Sequence, residues 1–258
     1  MSTSRKEVLE EMGLSPIWVR RDDLPVARRA PEELVKATKV VERDPSAGMP
    51  VAASSVAGVG DPSVGVELMD WQTLRRSIAE CRACGLCAER KQAVSGVGDE
   101  NAGWLFIGEG PGAEEDARGE PFVGQAGKLL DAMLAAIGLK RGEDVYIANA
   151  VKCRPPGNRT PEAAEMMACF PFLKRQIELI QPKLIVLLGR AAVNSVLGEE
   201  GSLASLRGKT LAFRDGDREI PVLVTYHPAY LLRNLPDKAK AWEDLCRARA
   251  LMRNLQGK

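Results

Sequence analysis

Four short apolar runs, at residues 104–107, 145–151, 184–188 and 222–226, are separated by stretches of helical periodicity. Runs that are apolar at nearly every position, not at alternate positions, are strands buried on both faces. Strands alternating with helices predict a parallel sheet, and ligands then bind at the C-terminal ends of its strands. The expected fold is therefore α/β: a small central parallel four-stranded sheet with helices on both faces, in three α/β/α layers.

Helix signals surround these runs. Asp70 reads as the N-cap of a helix that turns Trp71, Leu74 and Ile78 inward and ends at Cys81. Residues 127–137 present Leu129, Leu130, Met133 and Leu134 on one side. A longer helix is expected from Thr160, with Pro161 in its first turn, to about residue 180, burying Met166, Phe170, Leu173 and Ile177. The last, at 238–255, buries Trp242, Leu245, Met252 and Leu255 and carries Arg247, Arg249 and Arg253 elsewhere.

The amino end differs in kind. Residues 46–66, SAGMPVAASSVAGVGDPSVGV, are mostly small with Pro and Gly, and such a stretch buries too little to offset its ordering entropy. Residues 25–69 are accordingly expected to be a disordered linker. Ahead of them Ser4 caps a short amphipathic turn with Val8, Leu9 and Met12, stopped at Gly13 and followed by Ile17, Trp18, Arg20 and Arg21. Residues 1–24 read either as a partner-docking peptide or as a segment packed on its own domain, which spans 70–258. No apolar run approaches the ~18 residues of a membrane span, and Glu7, Glu10 and Glu11 break any signal-peptide pattern. Location in the cytoplasm and a monomeric state are expected. The net charge of +1 gives no general affinity for nucleic acid, although a local patch would suffice.

Six cysteines without an export signal point to thiols, metal or a cluster, not to disulfides. Cys81, Cys84 and Cys87 form C-x2-C-x2-C, with Cys153 and Cys169 further on. Four thiolates are the usual ligand set of zinc or an iron–sulfur cluster. Spacing alone leaves the membership of that set open, and Cys169 beside Phe170 and Cys246 in the last helix are also plausible core thiols. After the first strand, Gly108-Glu109-Gly110-Pro111-Gly112 lets backbone N–H groups approach a ligand closely, and Phe122 follows in a Gly/Pro setting. After the second strand, Lys152 to Arg159 forms a stiff basic loop suited to phosphates. Asn149 within that apolar strand is costly to bury unless its amide is paired, and a planar donor–acceptor group there suits a nucleobase edge. The only histidine, His227, follows the fourth strand.

GEGPGAEEDARGEPFVG, NAVKCRPPGNRTP and HPAYLLRN, in this order and spacing, resemble the family 4 uracil-DNA glycosylases, the iron–sulfur branch of the uracil-DNA glycosylase superfamily. The resemblance covers about residues 75–255. It implies a [4Fe–4S] cluster on Cys81, Cys84, Cys153 and Cys169, with Cys87 a bystander, and uracil-containing DNA, single- or double-stranded, as the substrate. It implies that Phe122 stacks on the flipped base, Asn149 reads its polar edge, Glu115 excludes the thymine methyl by volume, and Glu109 and Gly110 line the pocket. His227 would stabilise the departing uracil anion and Asn158 would position the attacking water; Glu109, Asn158 and His227 are the expected catalytic group. Arg154 and Arg159 would meet phosphates, while Leu231, Leu232 and Arg233 would fill the vacated stack. Residues 5–21 resemble the peptide by which the psi subunit of a bacterial replicative polymerase binds the chi subunit, which implies a chi-like clamp-loader partner. The rival reading is a non-catalytic iron–sulfur DNA-binding protein. A covalent relative would need a second histidine, which the chain lacks.

Overall fold

A computed structural model of the chain describes residues 65–199 and 201–257. The docking peptide expected at 1–24 and most of the linker expected at 25–69 lie outside the described residues. The end of that linker does not behave as one. Val66 is buried against Leu74, Ile78 and Phe172, and the Arg175 Nε–H donates to the Met69 carbonyl at 2.7 Å. The packed domain thus begins before residue 70, because Val66 supplies an apolar side chain to a cluster that needs one.

In chain order the elements are α1 (Trp71–Glu80), β1 (Val97–Gly98), β2 (Trp104–Gly108), α2 (Ala113–Arg118), α3 (Gln125–Ala136), β3 (Val145–Asn149), α4 (Ala163–Ile180), β4 (Leu184–Leu188), α5 (Arg190–Leu197), α6 (Leu203–Leu206), β5 (Leu211–Asp215), β6 (Arg218–Thr225), α7 (Pro228–Arg233) and α8 (Asp237–Leu255). The sheet has six strands in the order β1-β3-β2-β4-β6-β5. Its inner four are parallel and are the strands expected; β1 and β5 pair antiparallel at the two edges. The expectation of a purely parallel four-stranded sheet is corrected to a mixed six-stranded one.

Alternate residues of the inner strands feed two cores. Leu105, Ile107, Tyr146, Ile185 and Val224 pack under α4 and α5 through Leu173, Ile177, Ala192 and Val193. Trp104, Phe106, Ile147, Val186 and Leu223 pack under α3 and α8 through Leu130, Leu134, Leu245 and Met252. A third cluster joins Leu74 and Ile78 of α1 to Met166, Cys169 and Phe172 of α4 and to Cys153. Asp70 caps α1 as expected, its Oδ1 accepting from the Thr73 N–H at 2.8 Å.

Three details of the helices differ from expectation. The long helix starts at Ala163, capped by Glu162 instead of Thr160. Phe170 is only half-buried and Phe172 fills the core in its place. In α8 the buried stripe is Ala241, Leu245, Ala248 and Met252, so Trp242 and Leu255 sit off it, 44% and 41% exposed. At about 100° per residue, Trp242 sits one step around the helix from Ala241, on the rim of that stripe.

Candidate active site and thiolate cavity

The C-terminal ends of β2, β3, β4 and β6 open into one cleft of about 620 Å³, within the usual range for small-molecule sites. Glu109, Gly110, Glu115, Phe122, Asn149, Asn158, Arg159, His227 and Arg233 all line it. Residues expected from three separate motifs therefore meet at one place.

Asn149 ends β3 opposite Gly108 of β2. It is 2% exposed, and its Oδ1 has no hydrogen-bond partner. Leaving a buried acceptor unpaired costs about 1–3 kcal/mol, so this atom is held ready for a donor brought by something else. A Cβ on Gly108 would lie 2.5 Å from the Phe122 ring and 2.6 Å from Asn149 Oδ1. The absent side chain is what lets ring and amide share the wall.

Phe122 adopts a left-handed backbone, φ 55°, which is rare for a bulky residue and points to local constraint. Its ring stacks on the His227 imidazole, with centroids 5.4 Å apart and planes 30° apart. Glu115 is buried beneath. Its Oε1 accepts the Val123 and Gly124 N–H groups (2.9 and 3.0 Å), and its Oε2 accepts that of Gly112 (3.1 Å). The carboxylate thereby ties the loop after β2 to the start of α3.

His227 caps α7, its Nδ1 accepting the Ala229 N–H at 3.1 Å. An acceptor at Nδ1 leaves the proton of a neutral ring on Nε2. Burial first, then the Arg233 charge, push its pKa down to about 4, with Glu115 opposing. The imidazole is a neutral donor at physiological pH. Burial also raises the Glu109 carboxyl, against a hydrogen bond from Thr160.

The phosphate-side residues divide. Asn158 is exposed at φ 55° in the turn Pro156–Asn158, and its Oδ1 accepts from Arg154 Nε at 2.7 Å. Arg159 is engaged in a two-pronged pair with Glu165 (2.6 and 2.8 Å) at the N-terminus of α4. Leu231 is 1% exposed inside the α3–α8 core, so the expectation that it enters a base stack is corrected: only Leu232 and Arg233 of that trio face solvent.

Behind β3 lies a second cavity, lined by Cys81, Cys84, Cys87, Cys153 and Cys169 with Arg90 and Lys152. None of these thiols is in a disulfide. Burial drives Cys169 up to about 12 and raises Cys153 and Cys84, so a bound cationic centre, not solvent, is what would ionise them. Donors already point at the sulfurs: Arg90 Nη1 to Cys153 Sγ (2.8 Å) and the Lys152 N–H to Cys169 Sγ (3.3 Å). Among the described residues no three His, Cys, Asp or Glu side chains converge as a single ion requires. A cavity lined by five cysteines offers the thiolate donors that zinc and iron–sulfur clusters take. Cys87 lines the same cavity, so geometry does not set it apart as a bystander. Cys246 is half-buried on α8, outside this cavity.

Lys152 links the two sites. It is fully buried, with Nζ donating to the Asn149 carbonyl (2.8 Å) and to Gln176 Oε1 (2.6 Å); burial depresses its pKa to about 8. Sequence reasoning also missed Gly189, Arg190, Tyr226 and Tyr230, which line the cleft. The strand-end rule was the available signal for the first pair, since they directly follow β4.

Residues 95–246 match the uracil DNA glycosylase superfamily. A type-4 uracil-DNA glycosylase of Archaeoglobus fulgidus is 46% identical over 161 residues, 61% of this chain and 80% of that protein. One from Thermotoga maritima is 43% identical over 190 residues, 72% of this chain and 96% of its own length. A type-5 uracil-DNA glycosylase of Thermus thermophilus is 32% identical over 180 residues, 57% of this chain and 80% of that protein.

Proposed function

The chain belongs to the uracil DNA glycosylase superfamily, in its type-4 branch, and from this we infer that it hydrolyses the N-glycosidic bond of deoxyuridine in DNA. Uracil is released and an abasic site remains, the opening step of base excision repair. The observation that carries this reading is the unpaired, buried Asn149 oxygen in the wall of the cleft that holds His227. Uracil offers N3–H to that oxygen and O4 to the amide N–H. Cytosine reverses both groups, and the mismatch strands buried polar atoms on each side.

The target nucleotide must leave the stack to reach this cleft. Phe122 covers the face of the base, and Glu115, by its volume, excludes the methyl of thymine. Cleavage leaves negative charge on the uracil ring and positive charge on the sugar. The neutral His227 Nε2–H meets the negative charge as it forms, a fixed donor of the oxyanion type. Asn158 orients the water; its amide is too weak a base to activate it strongly, so stabilisation of the leaving group carries most of the rate. Arg154, which donates to Asn158 Oδ1, turns to a phosphate when DNA binds and releases that oxygen to the water. Leu232 and Arg233 fill the vacated stack.

Cys81, Cys84, Cys153 and Cys169 would hold a [4Fe–4S] cluster, which would tie together the end of α1, α4 and the loop after β3. The choice of these four over Cys87 rests on the family resemblance. Residues 5–21 dock on a chi-like clamp-loader subunit, a reading supported by the sequence of the arm alone, and the enzyme acts as a cytoplasmic monomer on either single or double strands.

The test is incubation with a uracil-containing oligonucleotide, alkaline cleavage at abasic sites and chromatography of the released base. Asn149→Ala and His227→Ala should each lower single-turnover excision by about 2–4 kcal/mol in activation free energy, the scale for an oxyanion-type donor, with duplex binding little changed. Binding without any base release by the wild type would favour the non-catalytic DNA-binding reading.

A further inference from the structure

Phe122 holds a backbone conformation that its own residue type disfavours, and it does so with its ring against His227. Something else in the fold has to keep it there. Glu115 grips the N–H groups of Val123 and Gly124, on one side of the peptide chain. The other side is gripped by a residue outside all three family-like motifs. Arg141, beyond the C-terminus of α3, donates from Nη1 to the Pro121 carbonyl and from Nη2 to the Phe122 carbonyl, each at 2.8 Å. Its fork is aimed by Asp131 of α3, which accepts from Nε at 3.0 Å. Gly127 completes the seat: a Cβ there would lie 1.8 Å from the Phe122 oxygen.

On the reading of the cleft as a uracil pocket, we propose that Arg141 is a positioning residue that sets the stacking face of the pocket by clamping the Pro121 and Phe122 carbonyls. It does not line the cleft and acts only through Phe122. A planar guanidinium reaches two successive carbonyls at once, which a lysine ammonium does not do in a fixed geometry. Without the clamp, Phe122 relaxes towards negative φ and the ring swings off the site.

The test is a double-mutant cycle on the full chain, read by single-turnover excision and by inhibition with free uracil. Arg141→Met should lower excision and weaken uracil inhibition, each roughly ten- to a hundredfold, the scale of losing charge-assisted hydrogen bonds. In a Phe122→Ala background the same change should cost less than about twofold, because the ring it positions is gone. Arg141→Lys should recover part of the loss, and Asp131→Ala should reproduce a milder form of it if Arg141→Met fails to fold. Equal losses in both backgrounds, or none in either, would overturn the proposal. Wild-type excision serves as the check on the underlying reading; if it is absent, that reading falls and this role falls with it.

Discussion

His227 decides the acid side of the activity. Its burial, with the Arg233 charge, lowers the pKa from 6.5 to about 4, and the Ala229 N–H fixes which nitrogen carries the proton. Excision should therefore stay level as pH drops through 6.5, where an ordinary imidazole titrates, and decline only towards 4. A single-turnover profile with a midpoint near 6.5 would show that the ring titrates freely and that its environment has been misread. Stability should follow the same residue. The unfolded chain takes up the proton first, so the contribution from a neutral His227 is complete above about 6.5 and is lost as pH falls towards 4. Urea titrations at several pH values would show the midpoint moving down across that window. The direction follows from the sign of the shift: a depressed native pKa disfavours acid.

At the scale of elements, Glu115 joins the end of one motif to the start of the next helix, and a substitution there separates two roles. Glu115→Gln keeps the volume that excludes thymine and loses part of the backbone grip. Glu115→Ala loses both and strands N–H groups of Gly112, Val123 and Gly124, at about 1–3 kcal/mol for each that water does not reach. Thymine release should thus appear with Ala and not with Gln, measured on oligonucleotides carrying either base; thymine rejection intact in both would move that role to another side chain. The same elements explain what the sequence made legible. The inner strands announce themselves because both faces are covered, as Phe106 and Ile107 pack under opposite helices. Strand β1 has two residues, and β5 buries only Phe213, so neither has a run long or apolar enough to detect. Their one usable signal was Gly216-Asp217, a two-residue hairpin turn between β5 and β6. Site residues adjoining strand ends could be read from their motifs. Arg141 could not, because it meets Phe122 only through the return of α3, 19 residues later.

At the scale of the whole molecule, the proposed cluster and the proposed docking role of residues 5–21 are the readings to test. Anaerobically purified protein should carry about four irons per chain with absorbance near ~400 nm. Cys153→Ala should lose both, and Cys246→Ala neither; zinc in place of iron would refute the assignment. The boundary of the fold can be located by truncation. Removing residues 1–64 leaves all the described residues of the domain in place. Its melting temperature and its excision from a free oligonucleotide should match the full chain. Removing residues 1–70 also takes Val66 from the cluster around Cys153 and Cys169, the Met69 carbonyl from Arg175, and the Asp70 cap from α1. A buried Val contributes about 1.5–3 kcal/mol and a cap about 1 kcal/mol, so this shorter protein should melt lower and hold iron less firmly. The two truncations together isolate the arm. If residues 5–21 dock on a chi-like subunit, the 1–64 deletion loses capture by that subunit in a pull-down while keeping full excision, and a peptide of residues 1–24 binds by itself, less well when Trp18 is replaced by Ala. Slower excision by the 1–64 deletion would mean that the arm belongs to the enzyme's own working surface. Undiminished capture would place the contact within the glycosylase domain.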